Sequence, residues 1–301
     1  MERCQITSPI LLRGDHKRAF RDPCALYQDG IWWLYYTLVE TEEDGRVYLY
    51  TAMSRSANLR EWSEPLLLTP RDQHLNFSSP GNVIRVDNRW RMCLQSYPRP
   101  NGEKYGNNDC RIWMMESEDL VNWTAPELLR VKDDHVADKD MGRMIDPYFI
   151  EHAARPGEWF CFYKQNGVSL SKTDNFRQWT YCGSNERAGE NVCIIRDQGE
   201  YVMFHSPENG IGVMTSNDLV HWHEEDLLIT LGQQEWEWAK GRLTAGFVLD
   251  LRDMKGVEAF VMFFHGSGPE DERVLFDTHA SIGIAWSRDL KEWDWPGKAC
   301  K

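Results

Sequence analysis

Three carboxylates stand where an acid could do chemistry. Asp22 lies in Arg21-Asp22-Pro23, Asp146 in Ile145-Asp146-Pro147, and Glu190 in Gly189-Glu190-Asn191. Each comes just before a short strand-like run: Pro23–Tyr27, Pro147–Glu151 and Asn191–Arg196. Taken singly, an Asp-Pro pair is a common turn dipeptide. Taken together, like charges converging on one cleft raise one another's pKa, so that one carboxyl stays protonated near neutral pH. Glycosidic bond cleavage needs such an unequal pair, with one group giving a proton to the leaving oxygen and one acting as base or nucleophile. The proline after Asp22 and Asp146 is expected to hold each Asp extended and to remove a ladder donor.

What would bring these residues together is a repeat. The pattern Asx-Leu-x-x-Trp occurs at Asn58–Trp62, Asp119–Trp123, Asp218–Trp222 and Asp289–Trp293, and with Phe for Leu at Asn175–Trp179. Each copy follows a strand-like run ending in Ser or Thr: Val47–Ser54, Arg111–Ser117, Val168–Thr173, Ile211–Ser216 and Ser281–Ser287. A short Asx side chain can bond the backbone two residues on and tolerate turn dihedrals. Upstream of each turn lie two further strands, giving four short antiparallel strands per module. The expectation is an all-β fold, a five-bladed β-propeller with four antiparallel strands per blade, forming a single catalytic domain over residues 1–301. A two-sheet sandwich is the alternative, but it leaves the repeated turn unexplained. In a propeller the innermost strands all start on one face. Asp22, Asn82, Asp146, Glu190 and Arg242 occupy those starts in blades one to five.

Other side chains belong to the same mouth. Arg21, Arg143 and Arg242 read either as a fork for a carboxylate, sulfate or phosphate on the substrate, or as partners of the neighbouring acids. Trp236, beside Trp238, either stacks on a sugar ring or packs under its loop. His265, in His265-Gly266-Ser267-Gly268, is expected in a channel-side loop. Asn82, His265, Trp236 and the three arginines are therefore the candidate substrate contacts. The acids of 133–140 match no calcium-loop spacing and read as a solvated loop.

Composition narrows the field. A net charge of −13 argues against nucleic acid or an anionic membrane surface as partner. No apolar run is long enough for a membrane span, and residues 1–20 show no signal-peptide core. The eight cysteines have no metal spacing and read as small buried hydrophobes in a reducing compartment, which implies a cytoplasmic protein. A disulfide-bearing periplasmic protein is the alternative. No metal and no cofactor are expected; the partner is an oligosaccharide, anionic on one reading of the arginines.

In these motifs the chain resembles glycoside hydrolase family 43 and the wider five-bladed propeller hydrolases. The resemblance rests on Asp22-Pro23, Ile145-Asp146-Pro147 and Glu190-Asn191-Val192 in that order, together with the turn repeat, and it spans the whole chain. It implies that Asp22 is a general base, Asp146 tunes the pKa of the acid, and Glu190 is the general acid of an inverting glycosidase. Asn191-Val192 stands where the family usually has Gly-Pro. Thr244-Ala245-Gly246-Phe247 lacks the family's ion-holding channel histidine. Neoagaro-oligosaccharide hydrolases, family 32 and propeller phosphorylases are other relatives the motifs allow. The opposing expectation is a non-catalytic carbohydrate-binding or scaffold propeller, since fold does not imply function.

Overall fold

A computed structural model describes residues 6–269, 273 and 277–298. Cys4, Cys300 and part of the 266–279 loop lie outside the described residues. The chain forms five antiparallel sheets arranged as the blades of a propeller. The inner strands are Arg18–Gln28, Val83–Val86, Ile145–Glu151, Glu190–Asp197 and Arg242–Leu251. Blade one continues through Ile31–Thr41, Val47–Ser56 and Leu66–Leu67, and the next three blades follow the same order. Blade five differs at its rim. There the third strand, Ser281–Ser287, pairs with both Trp293–Asp294 and the N-terminal strand Ile10–Leu12. The two ends of the chain thus share one sheet, which closes the ring. Among the described residues no helix is long and apolar enough to cross a membrane.

The repeated turn is built as its residue types suggest. Asn58 Oδ1 accepts from the N–H groups of Arg60 (2.9 Å) and Glu61 (3.0 Å), and Asp119, Asn175, Asp218 and Asp289 make the same pair of bonds. The Ser or Thr two residues earlier accepts from the N–H groups of the Asx and of the residue after it. In blade one this residue is Ser56, so the strand runs two residues past the expected Ser54. The apolar residue after the Asx has a left-handed φ between 57° and 68° in all five copies. In four copies the Trp indole N–H closes the turn by bonding the carbonyl of that residue, at 3.0–3.2 Å.

The same tryptophans join the blades. Trp123 meets Tyr35 edge-on at 5.7 Å, Trp222 meets Phe162 at 5.9 Å, and Trp293 meets Phe204 at 6.4 Å. Each partner lies on the second strand of the preceding blade. In blade two that register position is Cys93, facing Gly81, so Trp179 has no ring to meet there. It stacks instead on Phe149 of its own blade, 5.9 Å away. The fully buried Cys24, Cys93, Cys161 and Cys193 pack as small apolar side chains, and the six described cysteines are free thiols.

Candidate active site

The inner strands share one backbone device near their starts. The pairing register slips between Arg21 and Cys24, Ile145 and Tyr148, Glu190 and Cys193, and Thr244 and Phe247. At the slip a single residue takes a left-handed φ: Asp22 (48°), Asp146 (51°), Asn191 (52°) and Ala245 (54°), with Ser79 (42°) in blade two. This corrects the expectation that proline holds the two Asp residues extended. A bulge turns the extra residue out of the pleat, so Asp22 and Asp146 are aimed by left-handed bulges. It also corrects the equivalences. The counterparts of Asp22 are Ser79, Asp146, Asn191 and Ala245, while Glu190 sits one place earlier, level with Arg21. Asn82 and Arg242 are not equivalent to either.

A bulge leaves a backbone N–H outside the ladder, and here the preceding blade caps it. Asp22 N–H donates to His265 Nδ1 (3.1 Å), Ser79 N–H to Thr37 Oγ1 (2.8 Å), Asp146 N–H to Gln95 Oε1 (2.6 Å) and Ala245 N–H to Ser206 Oγ (2.9 Å). These four acceptors hold the same place in their own second strands, opposite Thr244, Arg21, Ser78 and Glu190. The fifth such place, opposite Ile145, is Lys164, whose ammonium has no acceptor. Close backbone contact sets the level of Glu190. A Cβ on Gly189 would lie 1.8 Å from the Ser206 carbonyl oxygen, so only glycine lets the chain pass there.

Asp22, Asp146 and Glu190 open into one cavity of about 490 Å³. Asp22 and Asp146 are buried, at 6% and 7% exposure, while Glu190 is partly open to solvent. Both Thr37 Oγ1 (2.8 Å) and Ser79 Oγ (3.0 Å) donate to Asp22 Oδ2, which leaves Oδ1 as the less engaged oxygen. Burial alone would raise the Asp22 pKa, but Arg21, His265 and these two hydroxyls outweigh it and hold the carboxyl below its ordinary value. Burial also pushes His265 down to about 3, so it is neutral at physiological pH. Its Nδ1 accepts the Asp22 N–H, which puts the ring proton on Nε2. The depression of Asp22 at neutral pH therefore rests on Arg21 and the hydroxyls. Asp146 goes the other way. Burial, then the charges of Glu190 and Asp22, push it up to about 8, and the Ser79 hydroxyl opposes that only in part. Ser79 thus sits between an ionised and a protonated carboxyl.

Two of the three arginines face neighbouring acids, and the third does not. Arg242 grips Glu190 Oε1 at 3.1 Å, and Arg21 lies 4.0 Å from Asp22 Oδ2. Arg143 bonds the Gly106 carbonyl (3.1 Å) and the Tyr97 hydroxyl (3.4 Å). His265 lines the cavity from within the strand Ala259–Ser267, not from a loop. Two candidates are not brought to the cavity. Asn82 holds both backbone groups of Phe149, at 2.7 and 2.9 Å, and so ties blade two to blade three. Trp236 packs in a three-ring cluster with Trp238 and Phe264 under its loop.

Other cavity residues carried no sequence signal of their own. Gln95 and Thr244 come from strands, and Arg99, Lys104 and Tyr105 from the long 98–109 loop. Arg99 forms a buried two-pronged pair with Asp277, at 3.0 Å on each arm. Ser79 was legible in principle, because Ser79-Pro80 repeats the Asp22-Pro23 and Asp146-Pro147 dipeptide. Among the described residues no group of three or more His, Cys, Asp or Glu is placed to hold a metal. His265 also turns Nδ1 to a backbone N–H, so the set does not fit an ion held by a channel histidine.

No family model and no curated protein matches this chain. Solved structures do match over nearly its full length. A thermostable family-43 glycoside hydrolase aligns with a TM-score of 0.62 at 13% identity, covering 97% of this chain and 96% of its own. A family 117 glycoside hydrolase from the marine bacterium Zobellia galactanivorans aligns at 0.66 and 12%, covering 96% and 91%. A glycosyl hydrolase from Bacteroides ovatus aligns at 0.67 and 12%, covering 94% and 92%. At these identities the likeness is one of fold: this chain has the five-bladed propeller found in those glycoside hydrolases.

Proposed function

We propose that this protein hydrolyses a glycosidic bond in an oligosaccharide, with inversion at the anomeric carbon. The observation that carries the reading is two buried carboxyls on one cavity in opposite surroundings: Asp22 accepts from the Thr37 and Ser79 hydroxyls beside Arg21, which lowers its pKa, while Asp146 lies buried beside Glu190 and Asp22, which raises it. A scaffold propeller has no need of such a pair, which burial makes costly. Propeller glycoside hydrolases of families 43 and 117 share the fold over more than nine-tenths of their length, which supports the same reading.

In this mechanism Asp22 Oδ1 accepts a proton from water as the water oxygen bonds to the anomeric carbon. Thr37 and Ser79 keep Oδ2 engaged, so the carboxylate cannot swing away. The bond to the leaving oxygen breaks as that oxygen takes a proton from Glu190, the most accessible of the three acids. The proton starts on Asp146, held there by burial and by the charges of Glu190 and Asp22, and passes to the leaving oxygen by way of Glu190. Arg242 fixes the rotamer of Glu190, and Ser79 fixes the spacing between Asp22 and Asp146.

Inversion leaves room for water, so a bound-state structure is expected to show the Asp22 and Glu190 carboxyls roughly 6.5–9.5 Å apart. Proton NMR of the first-formed product tests the stereochemistry on any oligosaccharide found to be cleaved. Retained configuration would remove Asp22 as base and make it a nucleophile.

A further inference from the structure

The cavity wall is cationic in an acidic protein. Five cationic side chains line it (Arg21, Arg99, Lys104, Arg143 and Arg242) against four acids (Asp22, Asp146, Glu190 and Asp277), while the whole chain carries −13. Arg99 and Asp277 neutralise each other in their two-pronged pair. Arg242 and Arg21 face Glu190 and Asp22. That leaves Arg143 and Lys104, both on the side formed by the 98–109 loop and the approach to blade three. Arg143 is half-buried and is positioned by neutral groups, the Gly106 carbonyl and the Tyr97 hydroxyl. A guanidinium held this way by uncharged neighbours keeps its charge for something else. Tyr105, 57% exposed, stands beside Lys104 at the mouth and offers a ring face for a sugar. On the opposite wall the buried Thr244 hydroxyl has no hydrogen-bond partner among the described residues and faces the same space.

We propose that the cavity takes an acidic sugar, one bearing an oxyanion such as a uronate carboxylate or a sulfate ester, with that group against Arg143 and Lys104 and the ring beside Tyr105. This rests on the reading of the cavity as a sugar site. It adds that the substrate's charge is recognised on the blade-two side, by side chains that form no ion pair with Asp22, Asp146 or Glu190 among the described residues. Thr244 then meets a hydroxyl at the far end of the sugar.

The test is calorimetric binding to the whole protein, with hydrolysis followed in parallel. The probes are uronic-acid disaccharides, each beside its methyl ester, and neutral disaccharides beside their sulfated forms. The acidic member of a pair should bind about 10–100-fold tighter than its neutral partner, as expected for a charge-assisted contact. Whichever acidic series binds identifies carboxylate or sulfate as the group. The preference should weaken with added salt. It should collapse in Arg143→Gln, be partly kept in Arg143→Lys, and fall severalfold in the surface variant Lys104→Gln, which serves if Arg143→Gln does not fold. Equal or tighter binding of the neutral partners overturns the proposal, as does a preference unchanged in both the Arg143 and Lys104 variants, or no binding by any probe. Cleavage of neutral sugars only would overturn the charge proposal and keep the hydrolase reading. Acid preference without cleavage would do the reverse.

Discussion

The five Asx turns at the outer ends of the strands and the five bulges at the inner ends repeat the same way in backbone and differently in side chain. At the turns both recur. The left-handed residue is Leu or Phe, the Asx accepts the same two N–H groups, and the Trp is invariant. At the bulges the left-handed φ recurs, but the residue is Asp, Ser, Asp, Asn and Ala in turn. A position that only stabilises a blade has one best solution and can be copied. A position at the shared mouth faces its four counterparts, and five identical acids there would repel. The bulge ring therefore takes four residue types on one backbone plan.

That contrast can be broken from both sides. The largest effect is expected at the bulges. Asp22→Asn should lower turnover by about 10²–10⁴-fold, the usual loss for a general base, while its melting temperature stays close to that of the parent. Asp218→Ala, in a turn, should leave turnover intact. A rate loss in the turn variant, or none in Asp22→Asn, would erase the distinction.

Next comes the pH dependence of Asp146→Asn. The folded state holds this carboxyl protonated up to about 8, whereas an unfolded Asp ionises near 3.9. Between those values the folded state binds the extra proton, so stability falls as pH rises. The neutral amide removes that cost. Asp146→Asn should be more stable than the parent at pH 7, on the order of 2 kcal/mol, with the gap closing toward pH 4. Denaturant titrations at the two pH values would show it, and an equal gap at both would refute it.

The turn predicts the opposite slope. Desolvation alone would raise the Asp218 pKa, but His221, two backbone N–H groups and the Ser216 hydroxyl outweigh it and hold the carboxyl below its ordinary value. Its stabilisation is present above the unfolded value and is lost as pH falls toward the folded one. Asp218→Ala should cost about 1 kcal/mol at pH 7, typical of a lost cap, and progressively less below about pH 4. The smallest effect is expected at Ala245, a bulge residue that carries a Cβ in the left-handed region with no polar group to use. Ala245→Gly should stabilise by about 0.5 kcal/mol, part of the left-handed penalty, and a clear loss would show that the Cβ packs usefully.

Much of the architecture was written locally. Asn58, Asp119, Asn175, Asp218 and Asp289 make bonds within three residues, so five copies of a short string were enough to count blades and place their strands. Asp22, Asp146 and Glu190 were legible because their order along the chain and their place before a strand survive without coordinates. The ring closure was not, since Ile10–Leu12 pairs with a strand some 270 residues away. Nor was the true equivalence of the inner positions, because a bulge shifts register by one residue without leaving a distinct string. That is why Glu190 looked like the counterpart of Asp22 while Asn191 did not; Asn82 and Arg242 lie three residues from the true counterparts, Ser79 and Ala245.

By itself, then, the sequence determined the fivefold sheet and the three acids at its mouth, because both are set by contacts between near neighbours or by position along a repeat. Only the tertiary structure decided which acid holds the proton, which arginine answers which carboxylate, and which side chain caps each bulge. Those depend on burial and on neighbours from other blades: His265 beside Asp22 across 243 residues, Gln95 beside Asp146 across 51, and Arg242 beside Glu190 across 52. Desolvation and charge–charge terms follow distance in space, and the separation of two residues along a chain does not encode it.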